Sequence, residues 1–183
     1  PSPIRGHSNV QGQRTVGITE KPELAPLDKL AQQFSFEPPR TKGMNTVEAF
    51  EAMIKGEVAA VFNLGGNLVR SVPDRSRTEP AWARLRLTVN VATKLNRSHL
   101  VHGAVSYILP CLSRIEIDRQ ENGEQAVSME DSTGCMHGSH GVTEPVSPDI
   151  RSEPFIVAGI ASATLQGKST VDWNAWRDDY SRV

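Results

Sequence analysis

The apolar run Val58-Ala59-Ala60-Val61-Phe62-Asn63-Leu64, stopped by Gly65-Gly66-Asn67, constrains the fold more than any other stretch of this chain. A run with one amide in it suits a parallel strand covered on both faces, because a half-exposed antiparallel strand would alternate polar and apolar residues. Just before it, Asn45-Thr46-Val47-Glu48 has the form of a capping box, and Val47, Phe50, Met53 and Ile54 line one face of a helix that Gly56 ends. A helix passing through a minimal loop into a buried strand is the αβ unit of a wound parallel sheet.

Two further strands follow, over 85–92 and 105–109, the second closed by Pro110. Helical spacing runs from Leu24 to Phe36, where Pro38-Pro39 ends it. Pro73-Asp74 and Pro80 read as a loop with a short helix beyond, and 125–129 as a short strand. Ser152, Glu153 and Pro154 open a helix that carries Phe155, Ile156, Gly159, Ile160 and Ala163 on its buried side. A last helix spans 172–180, with Trp173, Trp176 and Tyr180 on one stripe suited to core or domain interface. The expected fold class is α/β, a three-layer wound, mostly parallel sheet with flanking helices and a Rossmann-like organisation. Residues 1–183 are expected to form a single α/β domain, with an extended N-terminal segment over 1–23 and a largely irregular insertion over 111–151.

In open α/β sheets ligands bind beyond the carboxyl ends of the strands. Gly65-Gly66-Asn67 stands at one such end, and Thr93-Lys94-Leu95-Asn96-Arg97-Ser98-His99 follows another. Glycine lets backbone N–H groups approach a phosphate or a heterocycle, and Asn67 adds an amide that can read a base edge. Neither GxGxxG nor GxxxxGK[ST] is present, so a plain strand-to-helix turn explains the glycines equally well on spacing alone. Asn9, Gln11 and Gly12 lie in a polar, glycine-spaced segment that suits a site edge or a solvated arm.

With 20 basic and 21 acidic residues among 183, the chain lacks the charge imbalance of a broad nucleic-acid or anionic-membrane surface. No apolar stretch is long enough for a membrane helix, and the start at Pro1 has neither the charged nor the apolar region of a signal peptide. It reads as the interior of a longer chain. Two cysteines, Cys111 and Cys135, do not make a disulfide framework, and a reducing, cytoplasmic setting is expected. Cys135, His137 and His140 form the one close Cys/His cluster with zinc-like spacing, though its Gly/Ser-rich setting does not pre-aim ligands, and no metal site is assigned. No nucleophile or general base stands out.

Taken in order, several stretches resemble the large molybdopterin oxidoreductases. They are Arg-Gly-His-Ser-Asn-Val-Gln-Gly at 5–12, Gly43-Met44, Asn-Leu-Gly-Gly-Asn at 63–67, Thr-Lys-Leu-Asn-Arg-Ser-His at 93–99, Ile-Leu-Pro-Cys-Leu-Ser-Arg-Ile-Glu-Ile-Asp at 108–118 and Ser152-Glu153. The formate-dehydrogenase-like alpha (molybdopterin) subunit group is the branch they resemble. The resemblance implies an α/β domain that grips molybdopterin guanine dinucleotide through loops at strand ends. It assigns Gly65, Gly66 and Asn67 to one loop, Thr93, Lys94, Asn96 and His99 to a second, and Asn9, Gln11 and Gly12 to a segment near the pterin. It also places the molybdenum ligand, and any iron–sulfur cysteines, far upstream of the matched region and a β-barrel domain downstream. The chain is thus expected to be a piece of a cytoplasmic oxidoreductase, inactive alone, whose partners are the remaining domains and a small-molecule substrate, with no nucleic acid and no membrane. A non-catalytic nucleotide-binding or interaction module is the alternative, because an α/β sheet with strand-end loops serves many functions.

Overall fold

A computed structural model describes residues 9–183. In chain order the helices are α1 (Val10–Thr15), α2 (Leu27–Phe34), α3 (Thr46–Lys55), α4 (Leu68–Ser71), α5 (Arg75–Ala83), α6 (Arg97–Leu100), α7 (Glu153–Thr164) and α8 (Trp173–Asp178). The strands are β1 (Ala60–Leu64), β2 (Leu87–Ala92), β3 (Val105–Pro110), β4 (Arg119–Gln120), β5 (Gly123–Glu124), β6 (Val127–Glu130) and β7 (Met136–Ser139). They form two compact units, one of Met44–Ser113 with Asp149–Glu153, the other of the residues up to Gly43 with Arg114–Pro148 and Pro154–Val183.

The 44–113 unit is α/β. Its sheet has three strands in the order β1-β2-β3, all parallel. α3 begins as its sequence requires: the Asn45 side chain accepts from the Glu48 amide at 3.0 Å, and the Asn45 amide donates to the Glu48 carboxylate at 2.9 Å. Gly56 ends it at a φ of 81°. The core lies where α3, α4 and α5 meet, built from Phe50, Met53, Val69, Val72, Ala81, Trp82 and Leu85. Phe50 and Trp82 stack with centroids 6.4 Å apart. The Trp82 indole N–H has an acceptor, the Val101 carbonyl at 2.9 Å, so this large ring is buried without a stranded polar atom.

The paired register puts Val61 and Asn63 of β1 on the same face as Thr88 and Asn90 of β2. Val61 packs against the core, while Asn63 donates to the Asn90 side-chain oxygen at 3.1 Å and Thr88 donates to Ser106 at 3.1 Å. The amide that interrupted the apolar run therefore has a partner of its own kind. Coverage on both faces does not hold, however. Phe62 and Leu64, which point the other way, are 61% and 55% exposed, and Val105 and Tyr107 on β3 are also exposed. A three-stranded sheet leaves β1 and β3 at its edges, so only β2 has neighbours on both sides.

Two local readings change for physical reasons. The loop expected around Pro80 is α5, which holds that proline in its interior, at the sixth of nine residues. Pro80 has no N–H to give to the Ser76 carbonyl four residues back, and the cost of that one lost bond is offset by burial of the Ala81 and Trp82 that follow. α6 was not expected, because its four residues are too few to show a period.

In the other unit, Val10–Thr15 is helical where an extended segment was expected, and β4–β5 and β6–β7 are antiparallel pairs within the stretch read as irregular. α1 is tied down from outside the helix. The Asn9 side chain donates to the Ser128 carbonyl at 3.1 Å and accepts the Glu130 amide at 2.9 Å, as a neighbouring strand would. Asp172 caps α8 by accepting the Ala175 amide, and Trp173 meets Trp176 edge-on at 5.4 Å. The Tyr180 hydroxyl donates to Asp118 at 2.7 Å, which holds the C-terminal turn to the β4–β5 region.

Loss of Trp82 removes the centre of one core, whereas loss of Asn45 removes a single cap. Trp82→Ala is expected to cost about 3–5 kcal/mol and Asn45→Ala about 1 kcal/mol. Urea denaturation of both variants checks the ranking, and equal midpoints would show that the core is not centred on Trp82.

Candidate functional site

Parallel pairing brings the carboxyl ends of β1, β2 and β3 to one edge of the sheet. The ladder runs on past β1, with the Gly65 amide donating to the Val91 carbonyl at 2.8 Å. Gly65 and Gly66 both then adopt positive φ, 71° and 74°. That conformation costs an L-residue roughly 1–2 kcal/mol, which accounts for consecutive glycines before any ligand is considered. A Cβ on Gly66 would meet nothing within 4 Å, so the backbone there is open on one side.

The loop after β2 is held by a second capping box, with His99 in the role that Glu usually plays. The Asn96 side chain accepts the Ser98 amide at 2.9 Å, and the His99 Nδ1 accepts the Asn96 amide at 2.8 Å. This fixes the tautomer: with Nδ1 accepting, a neutral His99 carries its proton on Nε2. His99 is buried, and its Nε2 has no partner among the described residues. The side-chain nitrogen of Asn90, on the face that also bears Asn63, is a second buried donor without an acceptor.

Three hydrogen bonds join the two loops. Asn96 Nδ2 donates to the Gly66 carbonyl at 2.9 Å, Ser98 Oγ to Asn67 Oδ1 at 3.3 Å, and the Val69 amide at the start of α4 to Ser98 Oγ at 3.2 Å. The end of β3 adds a third strip of chain: the Leu112 amide donates to the Arg151 carbonyl at 3.0 Å, and Cys111 bridges to Arg151 in parallel fashion. Ser152 follows, buried, and then Glu153, whose Oε1 lies 3.6 Å from where a Gly65 Cβ would stand.

Of the residues singled out in the sequence, Gly65, Gly66, Asn67, Asn96 and His99 are thus brought into one constellation. Thr93 and Lys94 sit on the same loop in a bend and are exposed. Asn9, Gln11 and Gly12 belong to the other unit. There the close approach at Gly12 is made by the chain itself, since a Cβ would overlap the Asn9 amide, which is already committed to β6. Arg5, Gly6, His7 and Ser8 of that motif lie outside the described residues. Ser98 and Glu153 are the additions that sequence reasoning missed. Ser98 had a signal, its place two residues after an N-cap Asn, whereas nothing local in Glu153 points to Gly65.

The Cys135 cluster has another use. Asp131, at the start of the β6–β7 turn, accepts the Thr133 hydroxyl at 2.7 Å, the Cys135 amide at 3.0 Å and the His137 ring at 3.0 Å. Among the described residues no group of three or more His, Cys, Asp or Glu is arranged to hold a metal ion. Cys111 is buried, Cys135 is exposed, and neither is in a disulfide. No described helix is long and apolar enough to cross a membrane.

No family model matches the chain. It is 47% identical to Protein YdeP of Escherichia coli (strain K12) over 181 residues, which is 99% of this chain and 24% of that protein. It is 45% identical over 181 residues to the Uncharacterized oxidoreductase Rv2900c of Mycobacterium tuberculosis, 99% of this chain and 23% of that protein. The chain spans about a quarter of the length of the curated relatives it matches.

The donors around Asp131, the Thr133 hydroxyl first and then His137, hold its carboxyl well below the usual carboxylate range. A depressed folded-state pKa means that the turn's ionic bonds are present above the ordinary Asp range and are lost as pH falls through the depressed value. Amide exchange at Thr133 and Cys135 is therefore expected to stay slow at pH 4 and to speed up only in stronger acid. Loss of protection between pH 5 and 4 would contradict this account. In the other loop, Gly66→Val is expected to cost the chain about 1–3 kcal/mol through backbone strain, read as a shift in the urea midpoint.

Proposed function

We propose that this chain is the molybdopterin guanine dinucleotide-binding part of a formate-dehydrogenase-like molybdenum oxidoreductase. The observation that carries the reading is the joining of two strand-end loops through Asn96 and Gly66 at the carboxyl edge of a parallel sheet. Relatives named as oxidoreductases, at 45% identity over nearly the whole chain, support an oxidoreductase role. In the longer protein the sheet would be completed to a three-layer, Rossmann-like domain.

The residues present fit a dinucleotide. Gly66 offers open backbone and His99 a buried N–H without an acceptor. Glu153 accepts hydrogen bonds, so a ribose hydroxyl or a base N–H suits the ground beside Gly65. Phosphate would fall to the Gly66–Asn67 side, away from that carboxylate. Thr93 and Lys94 would meet the ligand from the exposed part of the second loop, and Asn9, Gln11 and Gly12 would lie toward the pterin. When bound, the pterin carries the molybdenum that supplies redox chemistry; this chain contributes grip and orientation. The metal ligand, a small-molecule substrate and the remaining domains would belong to the rest of a cytoplasmic protein, with no part for nucleic acid or membrane.

Metal and pterin analysis of the full-length protein tests the reading. Molybdenum or tungsten near stoichiometry, with pterin, is expected, and metal-free protein without pterin would favour a non-catalytic nucleotide-binding or interaction module. Asn67→Asp keeps the side chain's size but sets a negative charge beside the phosphate ground, so it is expected to lower pterin content, and more so at low salt. Gly66→Val is expected to lower it further. Wild-type pterin content in both variants would make the loop a turn and not a site.

A further inference from the structure

β1 lies at an edge of the parallel sheet, and its outward side is unguarded. The Ala59 carbonyl accepts the Leu87 amide at 3.3 Å and the Gly65 amide donates to the Val91 carbonyl at 2.8 Å, so the odd-numbered residues turn their backbone groups to β2. Backbone groups alternate along a strand, which sends the N–H and C=O of Ala60, Phe62 and Leu64 the other way. None of the described residues supplies those groups with a backbone partner.

The opposite edge differs. On β3 the Val105 amide donates to the Arg86 carbonyl at 3.1 Å and the Cys111 amide to the Ala92 carbonyl at 3.1 Å, so Ser106, Ile108 and Pro110 face outward there. Pro110 has no N–H to offer, and just beyond it the Leu112 amide is taken by the Arg151 carbonyl. Natural proteins blunt a sheet edge with Pro, Lys, a bulge or a covering segment. β3 carries two of these devices and β1 none. From Val58 to Leu64 there is no charge, proline or glycine, and the register against β2 is unbroken. Ala60, Phe62 and Leu64 are all exposed, the last two with large apolar side chains.

An edge of this kind pairs with an extended segment that reaches it. A cover is available without a second protein. The matched region is 24% of Protein YdeP and 23% of Rv2900c, so about three-quarters of such a polypeptide lies outside it. We propose that the edge of β1 receives a further strand from the part of the full-length polypeptide outside these 183 residues, paired through the backbone of Ala60, Phe62 and Leu64. The side chains of that strand beside Phe62 and Leu64 would be apolar, because cross-strand neighbours on one face meet each other. Such a strand would complete the sheet in the longer protein proposed above, and it rests on that part of the reading and not on the cofactor.

Hydrogen exchange in the full-length protein, resolved to single amides by mass spectrometry, tests it. The Val61 and Asn63 amides face β2 and serve as internal controls. The Phe62 and Leu64 amides are expected to exchange as slowly as those two, roughly a hundredfold or more below an open amide. A benzophenone photo-crosslinker in place of Phe62 is expected to join a peptide from outside the 183 residues, in a product that runs at monomer mass. Fast exchange at Phe62 and Leu64 would leave the edge open and overturn the proposal. So would a cross-link to a peptide from within the 183 residues, a cross-link to a second copy, or no cross-link. Pterin content of the same preparation reports the cofactor separately, so the failure of one reading is told apart from that of the other.

Discussion

Parallel pairing of β1 with β2 is the constraint on which the candidate site depends. The two strands lie 27 residues apart in register, Asn63 opposite Asn90, yet point the same way. Antiparallel pairing would have sent the Gly65 and Asn96 loops to opposite edges of the sheet. The parallel arrangement is possible because α4 and α5 carry the chain back between the strands, and their buried faces meet α3 to form the core around Trp82. Core and site are therefore products of the same crossover.

Polar groups inside this unit are used for register more than for bulk stability. Asn63 with Asn90, and Thr88 with Ser106, are rows across the sheet that a slip of one residue would separate. A neutral buried hydrogen bond contributes on the order of 1 kcal/mol net but costs more when half of it is stranded. Among the described residues, Asn90 and His99 each keep one donor without an acceptor. Both belong to β2 or the loop that follows it, so the unsatisfied polar potential of this unit is concentrated where its carboxyl-end loops gather.

The second unit is organised differently. Its strands are short, two to four residues each, and side chains supplement them. Asn9 pairs with β6 as backbone would, Asp131 closes the β6–β7 turn, and Arg119 holds Glu124 and Glu144 together. Exposed ion pairs of the last kind contribute little to stability. They account for part of the scatter of acidic residues through 116–144: Glu124 and Glu144 pair with Arg119, and Asp131 serves a turn.

Much of the 44–113 unit was legible in the sequence. The Asn45–Glu48 box, the stop at Gly56 and the three strands follow from short-range rules, since caps, glycine φ preferences and apolar runs act within a few residues. The α6 turn escaped because four residues carry no period, and the Pro80 break was overridden by packing of Ala81 and Trp82 into the core. What the sequence alone determined was which segments become strands and which loops carry amides and glycines. Only tertiary structure decided that Asn96 would reach Gly66 and that Glu153 would come to Gly65 from 88 residues away. Those outcomes depend on chain segments distant in sequence meeting at one place. No local propensity encodes such a meeting; it follows from the burial of a shared core and the direction in which the strands pair.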